Sequence, residues 1–71
     1  MRLFTTPRED ETREEFAARL VDESRAGVHA SMATITNLRT NARRGLPEAV
    51  ATLEAIRSYI AAHPVPPKRA S

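Results

Sequence analysis

The chain has 71 residues, 41% of them hydrophobic, 28% charged and 4% aromatic, with a net charge of +2 and no cysteine. That length allows one small domain, and the lack of cysteine excludes disulfides, thiolate metal sites and thiol redox chemistry. Twelve of the hydrophobic residues are alanine, so few large side chains remain to build a core.

No apolar run reaches the roughly 18 residues that a membrane span needs, so no membrane partner is expected. Met1-Arg2-Leu3-Phe4-Thr5-Thr6-Pro7 lacks the apolar stretch of a secretory signal, and the expected compartment is the cytoplasm. Charge is uneven along the chain: residues 1–25 sum to −2, residues 26–45 to +3, and residues 46–71 to +1. Such a dipole suits self-association as well as nucleic acid.

The first helix has a clear start signal. Thr6 as N-cap, Pro7 at the first helical position and Glu9 at the third form a Thr-x-x-Glu capping box. This predicts a helix from residue 7 to about 25, with Glu9, Asp10 and Glu11 at the positive end of its dipole. Glu9–Arg13 and Glu15–Arg19 have the i,i+4 spacing of exposed ion pairs.

An apolar and small-residue stripe then runs through Phe16, Leu20, Val21, Gly27, Val28, Ser31, Met32, Ile35, Leu38 and Ala42 at 3-4 spacing. It keeps its phase across Gly27, so one long helix of residues 7–44 is expected, about 57 Å in length. In the alternative, Gly27 ends the helix, Ser31 starts another, and the chain forms a three-helix bundle. Thr34-Ile35-Thr36-Asn37 and Thr40-Asn41 are poor helix formers, so packing must override their propensity.

Arg43-Arg44-Gly45-Leu46-Pro47 combines basic residues for a helix end, a glycine for the left-handed position and a proline for the next first turn. The chain therefore folds back into a second helix of residues 47–62. Leu46, Ala49, Val50, Leu53, Ile56 and Ile60 share its apolar face, and His63-Pro64 ends it. Residues 1–6 form an extended segment, 7–63 a helical domain, and 64–71 an extended basic tail. Pro64-Val65-Pro66-Pro67-Lys68-Arg69 also fits a PxxPxR peptide, but such matches are common in proline-rich tails and an unstructured solubilising tail is expected.

The expected fold is thus an all-α antiparallel hairpin with one long and one short helix. A second helix about 24 Å long covers only residues 28–44 of the first. Phe16, Leu20 and Val21 are left uncovered, which predicts a homodimer closing into a helical bundle. Phe16, Leu20, Val21, Val28, Met32 and Ile35 then form the self-association or partner surface.

Chemistry is sparse. His29 and His63 lie on different elements, and Ser24, Ser31 and Ser58 have no triad partners in view. The acidic run from Glu9 to Glu15 reads as a solvated first turn. We therefore expect no enzyme, cofactor or metal site. Arg39, Arg43 and Arg44 at the hairpin tip, with Lys68 and Arg69 in the tail, are candidate phosphate-binding residues. The aromatic residues that single-strand binding uses are few and scattered.

Arg2-Leu3-Phe4-Thr5-Thr6, followed by helical segments either side of Gly27, resembles the ribbon-helix-helix repressors in element order. The resemblance covers at most residues 2–44 without a specific motif, and the segment from Pro7 to Gly27 is long for that family. It implies a dimer whose paired N-terminal strands enter the DNA major groove, with Arg2, Phe4 and Thr6 on the reading face. The function expected from the residues is a non-catalytic, homo-oligomeric protein-interaction or regulatory module. The alternative is a dimeric DNA-binding regulator using residues 2–6 or the Arg39/Arg43/Arg44 tip.

Overall fold

The chain enters its first helix at Thr12, one Thr-x-x-Glu motif later than Thr6. In the computed structural model, which describes residues 3–64, α1 spans Arg13–Arg25, α2 His29–Arg43 and α3 Pro47–Ala62. Thr12 and Glu15 form the reciprocal capping box: the Thr12 hydroxyl accepts from Glu15 N–H, and the Glu15 carboxylate accepts from Thr12 N–H. This corrects the helix start at residue 7. Residues 7–12 carry no large apolar side chain, so a helix there has no face to bury. The box beside Phe16 wins because the apolar stripe begins there.

Gly27 breaks the long helix, which corrects the continuous 7–44 element and leaves the three-helix arrangement. Its φ is +90°, and Gly45 has a φ of +83°. Both helix ends are Schellman motifs. Val28 N–H donates to Glu23 C=O at 2.9 Å and Gly27 N–H to Ser24 C=O at 3.1 Å. At the second end Leu46 N–H donates to Asn41 C=O at 3.2 Å and Gly45 N–H to Ala42 C=O at 3.0 Å. Each motif turns the chain sharply, so the three helices fold back on one another and each packs against the other two.

Gly27→Ala is accordingly expected to destabilise. A Cβ at Gly27 meets no atom within 4 Å, so the cost is the left-handed backbone alone, about 1 kcal/mol. Thermal melts check this; a stabilised variant would restore the continuous helix.

Phe16, Ala17, Leu20 and Val21 of α1 meet Leu53 and Ile56 of α3 in the core, with Ile35, Leu38 and Ala42 of α2 packed against them. The stripe expected to lie open is therefore covered within the chain. This removes the observation on which the dimer rested. The Thr-rich α2 stays helical because Ile35, Leu38 and Ala42 pack on the core, while Thr34, Thr36 and Thr40 place their hydroxyls within 2.9–3.2 Å of the carbonyls four residues back.

The segment before α1 crosses the α1–α2 seam as a strap held by polar groups. Ser31 Oγ donates to the Glu23 carboxylate, so the Thr5 hydroxyl must donate to Ser31. Thr34 Oγ1 accepts from Thr5 N–H at 2.7 Å. Arg19 reaches the Thr6 carbonyl at 2.8 Å and grips Glu11 with two hydrogen bonds of 2.7 and 2.8 Å. Arg19 also faces Glu23 at 3.7 Å, while Arg13 bridges to Glu48 of α3 at 2.9 Å. These partners replace the expected Glu15–Arg19 and Glu9–Arg13 pairs. The late helix start frees Glu11 to turn back onto Arg19.

The Arg19 guanidinium and then the Arg8 N–H hold the Glu11 carboxyl down, from its ordinary 4.5 to about 2. A carboxylate with a depressed pKa stabilises the fold fully above its unfolded value and loses that contribution as it protonates. The strap is expected to loosen as pH falls from 4.5 towards 2, and Glu11→Gln to flatten that part of the stability profile. Melting temperatures across this window check it; identical profiles for the two proteins would contradict it.

Candidate functional site

The fold-back at Gly45 sets α3 antiparallel to α2 and leaves a groove between them, lined in part by Val21, Ser24 and Arg25 of α1. Two cavities lie along it. The larger, about 630 Å³, is walled by Ala42, Val50, Leu53, Ile56 and Ile60, with Arg39, Arg43, Glu54 and Arg57 on its edges. The smaller, about 320 Å³, is lined by Val21, Met32, Ile35, Ile56 and Ile60, with Arg25 and Arg39 at the edge. Arg39, Ile56 and Ile60 belong to both, so the cavities form one groove.

The floor of the groove is aliphatic because α3 carries more apolar residues than the core can hold. Ile56 faces inward at 2% exposure, whereas Val50 and Ile60 remain 36% and 41% exposed. The rim is cationic because α2 contains no acidic residue to balance Arg39 and Arg43. Among the described residues, the ion pairs join Arg13 to Glu48 and Arg19 to Glu11 and Glu23; none uses Arg25, Arg39, Arg43 or Arg57. Glu54 is the one acidic side chain lining either cavity. An apolar floor with cationic edges binds an amphipathic, acidic surface by burial and charge together.

The expected interface residues separate on this map. Phe16, Leu20 and Val21 are buried, and of these only Val21 reaches the groove. Met32 and Ile35 line the smaller cavity, and Val28 lies exposed at the α1–α2 turn. Among the candidate phosphate-binding residues, Arg39 and Arg43 line the larger cavity. Arg44 caps α2 and lines neither cavity. Lys68 and Arg69 lie outside the described residues, as do Arg2 and nearly all of the tail, residues 65–71.

Other polar clusters are satisfied within the chain. Thr5, Ser31, Thr34, Glu23, Arg19 and Glu11 bond one another in the strap. Tyr59 donates its hydroxyl to Asp22 at 2.9 Å, which ties α3 to α1 and raises the tyrosine pKa. Its ring stacks on His63 with centroids 4.2 Å apart. Residues 4–6 form no strand, and Thr5 is spent on Ser31 and Thr34. Among the described residues, no three His, Asp or Glu side chains converge as a metal site, and no helix is long and apolar enough to cross a membrane.

Comparison with known protein families, curated proteins and solved structures finds no match for this chain.

Proposed function

We propose that the chain is a non-catalytic protein-interaction module whose α2–α3 groove docks an amphipathic helix with acidic flanks from a partner protein. The observation that carries this reading is the aliphatic floor of Val50, Ile56 and Ile60 beneath four arginines, Arg25, Arg39, Arg43 and Arg57, that pair with no carboxylate among the described residues. A helix laid in such a groove buries its apolar face on the floor and sets its acids against the rim. Regulation by occupancy is the natural use of such a surface, as in an adaptor or an inhibitor.

A second copy of the chain is a poorer occupant. Self-pairing through this groove brings two arginine rims together, and the acidic α1 of another copy has already buried its apolar face. Duplex DNA would satisfy the arginines but leave the aliphatic floor without a partner.

Fluorescence anisotropy tests the reading. An acidic amphipathic helical peptide is expected to bind at physiological salt, and the same peptide with lysine for each glutamate is not. Duplex DNA is expected to bind weakly and to lose affinity steeply between about 50 and 200 mM salt. DNA binding tighter than the acidic peptide at physiological salt would overturn the proposal in favour of the DNA-binding regulator.

A further inference from the structure

We infer that the groove reads its partner helix at two apolar anchors two helical turns apart, with an acidic residue between them set against Arg39. This rests on the docking reading above and narrows it to a register. The two cavities meet at the shared residues Arg39, Ile56 and Ile60. On α2 the smaller cavity is bounded by Met32, Ile35 and Thr36, and the larger by Ala42 and Arg43.

The midpoints of those two sets are eight or nine residues apart, about 12–13 Å along the helix axis. A partner helix lying along α2 spans about 10.5 Å in seven residues and about 6 Å in four. Anchors seven apart come within about 2 Å of that cavity separation, so each reaches a different cavity. Anchors four apart put one of the pair over the junction of the cavities, where Ile56 is already packed into the core. Arg39 is the cation common to both cavities, so it faces the middle turn of the bound helix. Arg43 and Arg57 flank only the larger cavity, and Arg25 only the smaller.

The test uses fluorescein-labelled synthetic helices of about 20 residues, roughly 30 Å long, the first two of identical composition. One carries leucines seven apart with a glutamate between them on one flank, and a second carries leucines four apart. A third is the first with lysine in place of that glutamate. The seven-apart peptide is expected to bind the full chain at least about tenfold more tightly than the four-apart peptide, a difference anisotropy resolves easily. Arg39→Glu, an exposed position whose folding is checked by circular dichroism, is expected to weaken the glutamate peptide about tenfold and to strengthen the lysine peptide. Equal or tighter binding of the four-apart peptide would overturn the register while leaving the docking reading intact. An Arg39→Glu chain that binds both flanks as the parent does would remove Arg39 as the reader. If none of the peptides binds, the register and the docking reading fall together.

Discussion

Leu20→Ala is expected to destabilise the chain by about 2–5 kcal/mol. Leu20 is fully buried, with Phe16, Ala17 and Val21 beside it on α1 and Leu53 and Ile56 facing from α3. Removing three carbons there loses their transfer energy and opens a cavity that the short helices close only in part. A domain of this length has a total stability of about 4–10 kcal/mol, so the variant stands near the edge of unfolding at room temperature. Urea denaturation followed by circular dichroism measures the loss. A change below about 1 kcal/mol would show that Leu20 is not enclosed by its own chain.

Ile60→Glu is expected to have the largest effect on binding and a small one on folding. The side chain is 41% exposed and belongs to both cavities, so a docked helix covers it. Loss of a buried isoleucine costs the complex about 1.5–3 kcal/mol, or roughly ten- to hundredfold in affinity. The new carboxylate also opposes an acidic partner. Folding is expected to lose only about 1 kcal/mol, because Ile60 is partly exposed in the free chain, and circular dichroism confirms that the variant is folded. Titration of the acidic peptide against both proteins decides it, and unchanged affinity would place the docking surface elsewhere.

The second turn is plain in the amino-acid sequence and the first only an alternative there, for a physical reason. At Gly45 three signals coincide: arginines at the helix end, the glycine itself and Pro47 after it. At Gly27 no proline follows, and the apolar pattern runs on undisturbed. The connection between α1 and α2 is three residues long, close to the 3.6 residues of one helical turn, so the stripe keeps its phase across the break. The residues after each glycine, Val28 and Leu46, were the usable hint, because a Schellman end commonly places an apolar side chain there. Two Thr-x-x-Glu motifs competed for the start of α1, and only the one at Thr12 adjoins a face with something to bury.

The groove was legible in halves. Arg39 and Arg43 stood out because residues 26–45 contain no acid, and the apolar run from Val50 to Ile60 was plain from its spacing. Arg57 and Arg25 carried no signal of their own, since only packing brings three separate helices to one rim. Phe16, Leu20 and Val21 form an apolar stripe that needs a cover. Their cover is α3, which reaches them because the break at Gly27 lets α1 fold back.

Chemical-shift mapping of the ¹⁵N-labelled chain with the acidic amphipathic peptide decides whether the α2–α3 groove is the binding surface. Shifts are expected to concentrate at Arg39, Arg43, Val50, Arg57 and Ile60, with Thr5, Arg8 and the acidic start of α1 unmoved. Shifts centred on the strap or on the outer face of α1, with the groove silent, would contradict it.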